Sequence, residues 1–148
     1  MLFNPIFETA AAAWLLAQVL KVISELILRR RLDFSRLVGA GGMPSSHAAF
    51  VSALGTSVGQ VRGWDSAEFA ISLVFALIIM YDAAGVRRAA GRQAHILNQI
   101  VADLQRGGKL AEEGEKLKEL LGHTPVEVLA GAALGTIFSF LTNRIIGA

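Results

Sequence analysis

Apolar residues gather into four blocks along the chain, separated by polar punctuation. The first runs from about Pro5 to Leu28, the third from about Ser66 to Val86 and the fourth from about Pro125 to Ile146. Each meets the roughly 20 residues that a membrane-crossing helix needs. The second block, about Ser46 to Val61, is shorter and rich in Gly, Ser and Ala. It counts as a span because Gly55-x-x-x-Gly59 is the small-residue spacing by which helices approach closely in lipid. A polar insert at about 87–122 separates the third and fourth blocks. Arg88, Arg92, His95, Gln99 and Asp103 share one helical face there, while Ile96, Leu97, Ile100, Val101 and Leu104 lie largely on the other. That makes an amphipathic helix suited to a membrane surface or a cap. Gly107-Gly108 ends it, and a second charged helix is expected over about Leu110 to Leu121. The expected fold is all-α: a single domain over residues 1–148, a polytopic membrane bundle of about four transmembrane helices with an amphipathic helical insert.

Composition agrees with a membrane assignment. The chain is 53% apolar, above the roughly 45–50% of soluble domains, and its mean hydropathy is +0.52. There is no cysteine, so disulfides and thiolate metal sites are excluded. A net charge of +2 carries no sign of a nucleic-acid partner. The first block has no basic leader or small-residue cleavage site, so it is expected to be retained as a helix. Charge position is more telling than its sum. Arg29, Arg30, Arg31 and Arg36 follow the first block, and Arg87, Arg88, Arg92, Arg106, Lys109, Lys116 and Lys118 follow the third. Only Arg62 and Arg144 fall on the other side. With four spans, the positive-inside rule puts both basic loops in the cytoplasm and both termini outside.

Candidate chemistry lies at the starts of the second and fourth blocks. Gly39-Ala-Gly-Gly-Met-Pro-Ser-Ser-His47 is a glycine-rich loop running into a helix start. Its amides and the hydroxyls of Ser45 and Ser46 suit an anion such as phosphate, and His47 beside them suits proton transfer to a leaving oxygen. A plain helix cap with an incidental histidine explains the same residues about as well. Gly122-His123-Thr-Pro-Val-Glu127 opens the fourth block. Thr124, Pro125 and Glu127 there make a good capping box, yet a carboxylate near His123 also suits fixing an imidazole tautomer. The two roles would coexist if the cap lost a partner.

His47 precedes Gly55 by eight positions, and His123 precedes Gly131 of Gly131-x-x-x-Gly135 by the same interval. If the two helices pack at these glycine seams, both histidines reach one level. In the first block Gln18, Lys21, Glu25 and Arg29 form a polar stripe at intervals of three and four. Ionisable groups at such depth face a bundle interior or a wet cavity, although a Lys21–Glu25 pair is the plainer alternative. Tyr81-Asp82-Ala-Ala-Gly-Val-Arg87-Arg88 ends the third block at the same face. One of its arginines suits bidentate contact with phosphate, and Asp82 is placed to orient that arginine or to hold a cation.

In Gly-Gly-Met-Pro-Ser-Ser-His47, Tyr81-Asp-Ala-Ala-Gly-Val-Arg-Arg88 and Leu121-Gly-His-Thr-Pro-Val-Glu127 the chain resembles a divergent, short branch of the type 2 phosphatidic acid phosphatase superfamily, which includes vanadium haloperoxidases. Pro44-Ser45-Ser46-His47 stands where that superfamily has Pro-Ser-Gly-His. Lys21 and Arg29 approximate its lysine-to-arginine motif, one residue too far apart and without the proline. His123-x-x-x-Glu127 stands for its histidine–aspartate pair, with the usual arginine missing and Arg87 or Arg88 as substitute. The resemblance implies a metal-independent lipid phosphate phosphatase with no cofactor. His123 would be the nucleophile of a phosphohistidine intermediate, Glu127 its orienting carboxylate and His47 the general acid. Lys21, Arg29, Arg87 or Arg88, Ser45 and Ser46 would hold the phosphate oxygens. The implied substrate is phosphatidic acid, phosphatidylglycerophosphate or a prenyl pyrophosphate, entering from the cytoplasmic leaflet. The departed motifs leave open a catalytically inactive lipid-binding or membrane-organising protein of the same fold. A channel is a third class, weakened by the lack of any selectivity-filter-like run, and homo-oligomerisation stays open.

Overall fold

The computed structural model describes residues 4–29, 42–107, 117, 119 and 122–146, without the side chains of Glu25, Leu28, Arg29 and residues 143–146. Five α-helices follow one another: α1 (Pro5–Arg29), α2 (Ser46–Arg62), α3 (Ala67–Ala84), α4 (Val86–Arg106) and α5 (Pro125–Ile146). There is no strand among the described residues. Three stretches are long and apolar enough to cross a membrane: Pro5–Ser24, the run beginning at Ala67, and Pro125–Thr142. At 17 residues, α2 is about 25 Å long and sits centrally, packed against α1, α3 and α5. The chain is a membrane helical bundle. The second charged helix expected over about Leu110 to Leu121 falls almost wholly outside the described residues, as do the loop arginines Arg30, Arg31 and Arg36.

The bundle is small inside and large outside. One buried cluster joins Ala10, Ala13 and Ala53, with Phe50, Leu54 and Phe138 against it. A second joins Ala48, Ala83 and Val128 beside Met80 and Ala84. Meanwhile Leu15, Ile27, Ile71, Val74, Ile78, Leu129 and Ile137 are exposed. Lipid tails are as apolar as leucine, so burying large side chains offers little, whereas small residues let backbones come close.

The closest approach is between α2 and α5. A Cβ on Gly131 would collide with the Ser45 carbonyl oxygen, and one on Gly135 with that of Ala49. Further along, Ser139 donates to Gln60 Oε1 at 3.1 Å and lies 2.8 Å from Ser57 Oγ. Partner positions rise together along both helices, so α2 and α5 run parallel. The glycine-to-glycine seam expected between them does not form. Gly131 and Gly135 meet the first turns of α2 instead, while Gly55 faces Ser72 of α3 and Gly59 faces the ring of Trp64. That ring also packs on Phe69 and Phe140 at centroid distances of 5.0 and 6.2 Å, an aromatic group of the kind that settles at a membrane–water interface.

Helix starts follow local rules. Ser45 caps α2 by accepting from the Ala48 amide at 3.4 Å, and Ser66 caps α3 by accepting from Phe69 at 3.1 Å. Each satisfies an amide that no helical carbonyl reaches. On α4 the apolar residues Ile96, Leu97, Ile100 and Val101 are exposed, and Gly91 and Ala94 are buried.

Candidate active site

Two helix starts and one helix end converge. The first tie is Ser45, whose amide donates to the Glu127 carbonyl at 3.0 Å; the second is His123, whose amide donates to the Ala83 carbonyl at 2.9 Å. Gly122 makes the second tie feasible. Its φ is +83°, and a Cβ there would collide with the backbone of Arg87 and Arg88, so the residue before His123 has both a left-handed conformation and no room for a side chain.

These ties bring His47 and His123 together, their ring centroids 6.4 Å apart and their planes inclined at 63°. A cleft lined by His47, Ile79, Asp82, Ala83, Arg87 and His123 lies between α2, α3 and the start of α5. His47 is exposed, whereas His123 is only 3% exposed. The cleft holds about 20 Å³, room for about one water.

His123 is oriented by Glu127. Its Nδ1 lies 3.1 Å from Glu127 Oε2, and the same oxygen accepts from the Thr124 amide at 3.0 Å, while Thr124 Oγ1 accepts from the Glu127 amide at 3.3 Å. The capping box is therefore complete and the ring is served as well; no partner is lost. Burial pulls the His123 ring below the ordinary imidazole range. The Glu127 carboxylate opposes this, the Lys21 ammonium adds to it and the Gly42 carbonyl opposes it.

Positive charge reaches the cleft from two elements. Lys21 is 2% exposed, its stem running beneath Gly42, and its charge is felt at the His123 ring. Gln18, one turn earlier, is buried too. Arg87 lines the cleft and donates through Nε to Asp82 Oδ2 at 2.7 Å. Arg87 is thus the arginine turned to the cleft, and Arg88, though exposed, is not among its lining residues. Asp82 orients it. Ser45 and Ser46 are buried and do not line the cleft, and the Ser45 hydroxyl is engaged as the α2 cap. The side chain of Arg29 lies outside the described residues.

A feature that periodicity could not disclose ties the segment before His123 to α4. The Asn98 carboxamide pairs with the backbone of Leu117 in both directions, donating to its carbonyl at 2.9 Å and accepting from its amide at 3.0 Å. Asn98 also donates to Glu119 Oε1 at 2.8 Å, and His95 Nδ1 meets Glu119 Oε2 at 2.8 Å. The polar face of α4 thus holds Leu117 and Glu119. A lone asparagine among charged residues gave no signal of this.

A site of this kind can hold an anion between two imidazoles, with a lysine and an arginine to share its charge. The uncharacterized membrane protein YuiD of Bacillus subtilis is 45% identical over 142 residues, covering 90% of each chain. No solved structure matches. The family model described as the divergent PAP2 family matches residues 2–138, and the chain belongs to that family.

Proposed function

We propose that the protein is a lipid phosphate phosphatase working through a phosphohistidine, with its site at the cytoplasmic membrane face. The observation that carries this is the pair of rings 6.4 Å apart, one held by a carboxylate and both beside Lys21 and Arg87. Membership of a family related to phosphatidic acid phosphatases supports it, as does the excess of arginine and lysine in the loops on that side.

The chemistry follows from the geometry. Glu127 on Nδ1 favours the tautomer in which the His123 Nε2 lone pair is available. That lone pair forms the N–P bond as the P–O bond to the lipid alcohol breaks, and His47 gives its proton to the departing oxygen. Water then attacks phosphorus and passes a proton to His47, the N–P bond breaks, and phosphate leaves. Arg87 and Lys21 offset the charge on the non-bridging oxygens, so the reading includes no metal. Because the cleft has room for about one water, a phosphoryl group must open it. The exposed Arg87 side chain is the wall that would move, exchanging its Asp82 partner for phosphate oxygens.

The test is phosphate release from a panel of phosphatidic acid, phosphatidylglycerophosphate and prenyl pyrophosphate by the purified protein. Release should survive EDTA, stop with vanadate and vanish in His123→Ala, and an acid-labile, base-stable phosphoenzyme should form in the wild type. Full activity in His123→Ala would sink the mechanism. The small cleft favours a second reading, a lipid-binding protein without turnover. Anionic-lipid binding with no release from any of these substrates would select it.

A further inference from the structure

The cleft has an apolar neighbour. Trp14 of α1, Phe50 and Val51 of α2, and Phe75 and Ile79 of α3 line a groove of about 260 Å³ with His47 at its end. Its form follows from helix packing. Both α1 and α3 pack on α2, yet among the described residues no Cα of one comes within 8 Å of a Cα of the other. A gap therefore runs between them, with Phe50 and Val51 as its floor. Val51 is 2% exposed, while Trp14 and Phe75 on the flanking helices are 41% and 49% exposed, so the gap opens sideways, away from the bundle axis. That is the direction of the lipid tails.

We infer that this groove is a slot for a single hydrocarbon chain of the substrate, whose phosphate lies in the adjoining cleft. Two observations select this occupant over an ordinary bilayer lipid or a second helix. His47 lines both cavities, so a chain in the groove continues directly into the group between the imidazoles. Apart from His47 the lining is wholly apolar and mostly aromatic, offering no partner to a polar headgroup or to helix-backbone groups. One narrow gap takes one chain, and a second chain of a diacyl lipid would remain in the bilayer. The identity of the headgroup rests on the phosphatase reading; the presence of the chain does not.

Photolabelling separates the two. The full protein in nanodiscs is exposed to a non-hydrolysable long-chain alkyl phosphonate carrying a diazirine at mid-chain, and adducts are mapped by mass spectrometry. Adducts should concentrate on Trp14, Phe50, Val51 and Phe75 and be suppressed by unlabelled alkyl phosphonate, not by a neutral phospholipid. Adducts spread evenly over Ile71, Val74, Ile78 and Leu129, or indifferent to the competitor, would overturn the slot. In a kinetic arm, Val51→Phe fills the floor. Each methylene expelled costs about fourfold in affinity, so the ratio of KM for a long-chain alkyl phosphate to KM for para-nitrophenyl phosphate should rise at least about tenfold. An unmoved ratio argues against the slot. A wild type that hydrolyses neither ester ends the phosphatase reading and leaves the slot to the photolabelling result.

Discussion

Glu127 Oε2 accepts from His123 Nδ1 at 3.1 Å and from the Thr124 amide at 3.0 Å, so one oxygen both caps α5 and orients the buried imidazole. The two roles separate by substitution. Glutamine is also accepted at this position of a capping box, so Glu127→Gln should leave thermal unfolding almost unmoved. The carboxylate that sets the tautomer is lost, and kcat should fall by roughly 10²- to 10⁴-fold with little change in KM. Parallel loss of stability and activity would mean that Glu127 serves the helix alone.

Burial sets the pH dependence. The His123 imidazole is held below its ordinary value of 6.5, so it stays neutral and nucleophilic further into acid than a free histidine does. The acid limb of kcat/KM assigned to it should therefore lie below pH 6.5, and Glu127→Gln should move it further down, because the carboxylate is the influence that raises it. The same depression links to folding: the unfolded chain takes up this proton first, so this contribution to stability is full above pH 6.5 and is lost as pH falls through the folded value. A limb above 6.5 that Glu127→Gln leaves unmoved would contradict the assignment.

Arg87 is held by Asp82 at 2.7 Å and turned to the cleft. If it binds phosphate oxygens, Arg87→Lys loses the fork geometry and should raise KM about ten- to a hundredfold, the worth of one charge-assisted hydrogen bond. Arg88→Lys, at a side chain outside the cleft, should leave KM unchanged. Equal effects from both would point to general attraction of anionic lipid.

Gly131 rests on the Ser45 carbonyl with no room for a Cβ. Gly131→Ala should cost about 1–3 kcal/mol through overpacking, and Gly131→Leu should prevent the close approach of α2 and α5. Detergent-resistant folding followed by circular dichroism reads both. An unperturbed leucine variant would show that the two helices have another way to pack.

Asn98 holds Leu117 by a paired donor and acceptor, upstream of His123. Asn98 is half-buried and Leu117 exposed, so Asn98→Ala should cost about 1 kcal/mol of stability. It should nevertheless speed hydrogen exchange at the Leu117 amide and lower kcat. Faster exchange with unchanged kcat would confine the clasp to the surface.

Much of the bundle is legible from residue pattern. Block four and α5 share the bounds Pro125–Ile146, because Thr124, Pro125 and Glu127 mark a helix start chemically and the apolar run carries it on. The rest was hidden for physical reasons. A repeated glycine announces that some backbone comes close without naming which one. Gly131 found Ser45 and Gly135 found Ala49, since a serine and an alanine admit a neighbour as readily as Gly55 does. The histidines meet nonetheless, held by the hydrogen bonds from Ser45 to Glu127 and from His123 to Ala83. Those links are backbone to backbone and so leave no trace in side-chain spacing. The Asn98 clasp was invisible for the same reason, its partner being the main chain of Leu117.

The parallel course of α2 and α5 has a consequence for the electric field. Both helices start beside the same cleft, where His47 and His123 line it, and each such end carries a partial charge of roughly half a proton, which at α5 the capping Glu127 carboxylate offsets. The α2 end offers a substrate anion an attraction that belongs to the main chain. No proton uptake removes it. A relative that had lost Lys21 or Arg87 would still draw a negatively charged headgroup to this spot.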